Sequence, residues 1–195
     1  MKLRQLILEK AIVTGLKSPK RDECIGELLD ALMKGGAFKP AQRDEFLKAV
    51  IKREKKGSTG FGHGVSVPHV KTLEVKKCVA AIGLHPAGLD FNALDRQPVH
   101  AIFLLLSPED KPELHLAAME GLFSILSQEQ FRKFLRQAKT VADVAQVVVN
   151  SAKVECDFIK VVGDITGADI TGTGFIPIEG ESERPALQLA GKVRA

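Results

Sequence analysis

The sequence predicts an α/β fold, a layered mixed sheet of four to five strands with helices on both faces. Three observations predict it. Apolar or β-branched runs of strand length occur at 11–16 ("AIVTGL"), 75–84 ("VKKCVAAIGL") and 98–107 ("PVHAIFLLLS"). Stretches whose apolar residues repeat at helical spacing lie between and after them. The run "IFLLL" is continuous rather than alternating, the pattern of a central strand covered on both faces.

The elements follow in order. After the 11–16 strand, "SPKRDECIGELLDALMKGG" reads as a helix with Ser18 as its cap and Pro19 in its first turn. Ile25, Leu28, Leu29, Leu32 and Met33 form its apolar stripe, and Gly35-Gly36 stop it. A second helix opens near Pro40, with Phe46, Leu47, Val50 and Ile51 on one face. It closes on Lys52, Arg53, Lys55 and Lys56, cations that suit a helix C-terminus, before Gly57. "VSVPH" is a short extended piece, because Pro68 disfavours helix at Val67. "HPAGLDFNALD" reads as turns between the two later strands. A helix starts near Pro112 and buries Leu114, Ala117, Ala118, Gly121, Leu122 and Ile125. Two more helical pieces follow, "SQEQFRKFLRQA" and "TVADVAQVVVN", the second capped by Thr140 with Asp143 in its first turn.

Residues 1–150 therefore form one domain. From 151 to 195 the texture changes to Gly, Thr and acidic residues without helical period, which predicts a tail, extended or partly disordered. "ITGADITGTGFIPI" within it carries enough β-branched residues for one more strand. Charge divides the same way. The net +4 of the 195 residues is +6 over the first 150 and −2 over the remainder. A mildly basic body favours anionic partners, although most lysines solvate helix faces.

Composition narrows the function classes. Apolar residues make up 45% and charged residues 27%, as in an ordinary globular chain; without Trp or Tyr, aliphatics and ten Phe must fill the core. Cys24, Cys78 and Cys156 are odd in number and form no CxxC, which argues against a disulfide framework or a thiolate zinc site. No run approaches 18 apolar residues and the first residues lack a signal-peptide pattern, so a cytoplasmic protein without a membrane span is expected. GxxxxGK[ST], HExxH and GxSxG are all absent. "GFGHG" is not GxGxxG and follows a lysine-rich helix end rather than a strand, so neither cofactor nor metal is expected.

What remains is "GSTGFGHGVSVPH", residues 57 to 69. Its glycines let a bulky partner approach and let backbone N–H groups face an anion, and Ser58 and Thr59 add hydroxyl donors. Arg53 lies one helical turn before Gly57 and can reach over the loop. A neutral imidazole is a competent nucleophile without a metal, and a guanidinium beside it can hold a phosphoryl group. Two readings stay open on these grounds: a loop that presents an imidazole to an anion, or a flexible turn with incidental histidines. His85 and His100 read as structural. His115, in the first turn of its helix, either faces the same site or lies on the surface.

"REKKGSTGFGHGVSVPH" closely resembles the active-site segment of the mannitol/fructose-type EIIA domains of the bacterial phosphotransferase system, a family that includes the nitrogen-regulatory EIIA proteins. "GLDFNALDRQPVHAIFLLLSPED" and "HLAAMEGLFSIL" extend the likeness, which covers roughly residues 10 to 148 in the family's order. The resemblance implies that His69 is phosphorylated, that His115 orients or hydrogen-bonds the phosphoryl group, and that Arg53 offsets its charge. Gly60, Gly62 and Gly64, with Ser58 and Thr59, would form the phosphoryl loop; His63 occupies a variable position. Ser66 stands where Ala is commoner, Val70 stands where a small residue is usual, and the tail has no recognised counterpart.

The resemblance further implies an HPr-type phosphocarrier as donor. The phosphoryl group then passes to an EIIB domain for carbohydrate uptake, or its presence changes which target protein is bound. No EIIB or EIIC segment is fused within these 195 residues, so the nitrogen-type regulatory role is the first expectation and sugar transport the alternative. A basic nucleic-acid-binding module is the remote alternative. It rests on the basic body and "KREKK" alone, without any recognised reading motif, so no nucleic-acid partner is expected.

Overall fold

The computed structural model describes residues 1–151. In chain order these form α1 (Leu3–Leu6), β1 (Ile7–Val13), α2 (Arg21–Lys34), a 3-10 turn (Pro40–Gln42), α3 (Arg43–Glu54), β2 (Gly60–Gly62), β3 (Val65–Ser66), β4 (His69–Thr72), β5 (Val79–Leu89), β6 (Val99–Pro108), α4 (Pro112–Leu126) and α5 (Glu129–Gln137). A last helix, α6, occupies 141–151.

All six strands join one mixed sheet in the order β1-β5-β6-β3-β2, with β4 also on β6. β5 and β6 run antiparallel as its spine, while β1 lies parallel to β5, and β3 and β4 parallel to β6. From Ile102 to Ser107 every residue of β6 is fully buried, as the continuous apolar run required. Alternation along the strands sends Ile82, Phe103 and Leu105 toward α1, α4, α5 and α6, and Ile102, Leu104 and Leu106 toward α2 and α3. Helices thus cover both faces, and each Leu or Phe so buried contributes about 2 kcal/mol of transfer free energy.

Six strands replace the expected four to five, because the glycine segment is itself pleated. Gly62, His63 and Gly64 all have positive φ (107°, 58° and 77°), and residues 63 and 64 form a two-residue turn that pairs β2 with β3. Strands this short carry no readable period. β1 begins four residues earlier than its β-branched core suggested. β5 continues through His85-Pro86 into a segment read as turns; Pro86, which cannot donate, falls where the ladder is irregular between Leu84 and Leu89. α2 begins at Arg21 rather than at Pro19, and the Ser18 hydroxyl accepts from Lys20 N (3.1 Å) without capping the helix. Thr140 does cap α6: its hydroxyl accepts from Asp143 N (3.1 Å), and the Asp143 carboxylate accepts from Thr140 N (2.9 Å). Of the expected tail only Ser151 falls among the described residues. The candidate strand "ITGADITGTGFIPI" and Cys156 lie outside them. Cys24 and Cys78 are free and buried.

Candidate functional site

The site forms where β4 meets the start of α4. Pro68 lacks an N–H and interrupts the edge between β3 and β4, but its carbonyl still accepts from Leu105 N (2.9 Å) and keeps the chain against β6. His69 therefore enters β4 opposite Leu105, with Lys71 opposite Ser107. Alternation puts His69 and Lys71 on one face, the face α4 covers. Pro112 opens α4 at a position where its missing N–H costs nothing, and one turn later the helix presents His115. The rings of His69 and His115 stand 5.4 Å apart, centroid to centroid, tilted by 49°.

Each ring turns its Nδ1 into the protein. His69 Nδ1 donates to Val67 O at 2.9 Å, which leaves Nε2 with its lone pair. His115 Nδ1 lies 2.8 Å from Ser107 Oγ. Among the described residues the only sealed side-chain N or O atoms without a partner are Ser66 Oγ and His85 Nδ1, so neither Nε2 is shut inside. Burial pushes the His69 pKa down; the Arg53 and Lys71 charges add to that, against the raising effect of the Val67 bond and Glu54. Burial, with Lys71 and His69, lowers His115 further, to about 4. Both imidazoles are neutral at pH 7.

Arg53 stands in the last turn of α3, where its Nη1 donates to Gly57 O (2.9 Å) and its charge reaches His69. Ser58 and Thr59 turn their hydroxyls inward. Ser58 Oγ donates to Phe91 O (2.6 Å) and accepts from Gly60 N (3.0 Å), while Thr59 donates to the Glu54 carboxylate. These two side chains shape the loop. A Cβ on Gly60 would come within 2.9 Å of Ala93 Cβ, so the loop lies flush against the 90–97 segment. The exposed His63 donates its backbone N–H to Asp95 (2.8 Å). Phe61 packs edge-on against Phe123 of α4, ring centroids 5.1 Å apart, and so ties the hairpin to the helix that carries His115. His85 and His100 sit elsewhere as structural donors, His85 to Ser18 O (3.1 Å) and His100 to His85 O (3.2 Å).

Three residues of the site escaped the sequence reading: Lys71, Ser107 and Glu54. Lys71 was findable as the residue two on from His69 in an extended segment. Ser107 is the one hydroxyl closing an otherwise apolar buried run. Glu54 stands inside the quoted motif with no role assigned to it, yet it is 3% exposed. The arrangement offers a nucleophilic lone pair at His69, a second neutral ring beside it, and two cations for negative charge. Among the described residues no three His, Cys, Asp or Glu side chains converge as a metal-ligand set, and no helix is long and apolar enough to cross a membrane.

Residues 5–151 match the family described as "Phosphoenolpyruvate-dependent sugar phosphotransferase system, EIIA 2". The chain is 31% identical over 148 residues to the PTS system fructose-specific EIIABC component of Bacillus subtilis (strain 168), a match covering 76% of this chain and 23% of that protein. It is 38% identical over 101 residues to a nitrogen regulatory protein of Pseudomonas aeruginosa, covering 52% of this chain and 66% of that one. It thus spans less than two thirds of either relative's own length. Among solved structures, nitrogen regulatory protein IIA-Ntr from Neisseria meningitidis matches with a TM-score of 0.67 at 26% identity, over 75% of this chain and 98% of that one. A fold, a family match over most of the described residues and relatives of both the sugar-specific and the nitrogen-regulatory kind agree: the chain belongs to the EIIA family of the phosphotransferase system.

Proposed function

We propose that this chain is a phosphohistidine protein that accepts a phosphoryl group on His69 Nε2 from the phosphohistidine of an HPr-type carrier. The observation that carries the reading is the ring pair. Two neutral imidazoles stand 5.4 Å apart, each with Nδ1 engaged, and the Arg53 charge acts on His69. In the transfer, the P–N bond of the donor breaks as the bond to His69 Nε2 forms, and the donor ring recovers the electron pair. His69 keeps its Nδ1 proton, and the positive charge that develops on its ring is held by the bond to Val67 O. Positioning and charge stabilisation supply the rest of the rate.

Intact-mass measurement after incubation with phosphorylated HPr-type carrier tests this. Wild type gains one acid-labile phosphoryl adduct and His69→Ala gains none; equal labelling of the variant overturns the assignment. Downstream, the likeness to nitrogen regulatory proteins favours a regulatory role in which phosphorylation changes the bound target. The fructose-specific relative supports a second reading, passage of the group to an EIIB domain. Discharge of the phosphorylated chain by an isolated EIIB domain selects the second; stability of the adduct in its presence selects the first.

A further inference from the structure

We propose that Ser107 is a positioning residue that sets the tautomer of His115: its hydroxyl donates to His115 Nδ1, so the ring carries its proton on Nε2 and offers a neutral N–H beside His69. The inference rests on the reading of His69 as the phosphoryl acceptor.

Ser107 is fully buried at the end of β6, and its Oγ has two neighbours, His115 Nδ1 at 2.8 Å and Val70 O at 3.4 Å. It has one proton to give. The shorter contact has the length of a good hydrogen bond, while the longer lies at the edge of one. The β4–β6 ladder points the same way. Leu105 N donates to Pro68 O (2.9 Å) and Glu109 N to Thr72 O (3.1 Å). The two-residue step of that parallel ladder leaves Val70 O opposite the N–H of Ser107 itself. Val70 O therefore has a backbone donor and no need of the hydroxyl.

The tautomer decides what His115 can do. With Nδ1 protonated, the ring would turn a bare lone pair toward the dianionic phosphoryl group and repel it. With Nε2 protonated, the ring donates a hydrogen bond to a phosphoryl oxygen. An imidazolium is not the source of that proton, because burial and Lys71 keep His115 neutral well below pH 7. The donor has to come from the tautomer, and among the described residues Ser107 is the only side chain on the other nitrogen. Lys71 alone would supply charge without this direction.

The test is nitrogen NMR of the histidine rings in the unphosphorylated chain, together with the rate of transfer from phosphorylated HPr-type carrier. In wild type the His115 Nε2 resonance is expected to carry the proton and Nδ1 to be bare. Ser107→Ala shifts the ring toward Nδ1–H and slows transfer roughly tenfold, the equivalent of about one neutral hydrogen bond. Ser107→Thr, which keeps the hydroxyl, restores the tautomer and most of the rate. A merely structural serine would lower stability without moving the tautomer. Wild-type His115 protonated on Nδ1 overturns the proposal, as does Ser107→Ala with unchanged tautomer and rate. The spectrum is read without phosphate, so it judges Ser107 even if the acceptor proves to lie elsewhere; failure of wild type to take any adduct condemns the acceptor reading instead.

Discussion

Glu54 and Thr59 are joined twice: the buried carboxylate accepts from both the backbone N–H (3.1 Å) and the hydroxyl of Thr59. This pair fixes the angle at which the chain leaves α3 and enters the glycine hairpin. Arg53 is the preceding residue, so the orientation of the guanidinium depends on it. Glu54→Ala leaves two donors of the loop without an acceptor and is expected to cost about 2 kcal/mol of stability, read from denaturant midpoints. Transfer to His69 should slow further than that loss explains, because the Arg53 helix end is no longer held. A Glu54→Ala chain with wild-type transfer kinetics would show that the pinning is irrelevant to the site.

Ser66 is fully buried, and its hydroxyl has no partner among the described residues. Desolvating that group without compensation costs about 1–3 kcal/mol, part of which an alanine recovers. Ser66→Ala is expected to stabilise the fold by about 1 kcal/mol with transfer activity retained. A thermal scan measures it; a fall in midpoint would mean that the hydroxyl is satisfied in solution.

The histidine pair links stability to pH. His115 titrates at about 4 in the folded chain against 6.5 for a free side chain, and His69 is shifted in the same direction. Between those values the unfolded chain binds more protons than the native one, so stability rises with pH. The stabilisation is complete above about pH 6.5 and is lost as pH falls toward 4. With allowance for solvent screening, His115 accounts for on the order of 2 kcal/mol of that change. Unfolding free energies at pH 7 and 4.5 should converge by that amount for His115→Gln relative to wild type. A slope unchanged in the variant would assign the pH dependence to other groups. On the proposed reading, phosphoryl acceptance is expected to follow the same direction, falling with pH only as His69 protonates at its depressed pKa.

Much of this was legible in the chain. The continuous run at 102–106 located the central strand, and helical spacing located α2, α3, α4 and α5 to within a few residues. The motif pair at His69 and His115 was readable as likeness, and the 5.4 Å ring approach is consistent with it. Other features depend on contacts that no local pattern encodes. β2, β3 and β4 are two to four residues long, too short for a period; β3 and β4 exist because β6 offers them an edge, and β2 because β3 then offers it one. Ser58 and Thr59 looked like free donors because the sequence does not show Phe91 O or a buried Glu54 across from them. Ser107 gains its importance from the register that sets it against Val70 and His115.

Lys71 shares a face of β4 with His69, and its charge bears on both rings, lowering the pKa of each. A cation placed so has two effects. It disfavours the protonated, non-nucleophilic form of both imidazoles, and it would offset charge on a phosphoryl group at His69. Lys71→Met preserves the aliphatic stem and removes the charge, so packing on this exposed edge changes little. The His69 and His115 titrations, followed by proton NMR, are expected to move upward. Transfer from the carrier should slow several-fold, most at low ionic strength, where the charge is least screened. Lys71→Arg retains the charge and should keep both ring titrations near wild type. If Lys71→Met leaves both titrations and the rate where they were, the ammonium points to solvent, and Arg53 is left as the cation whose charge bears on the acceptor ring.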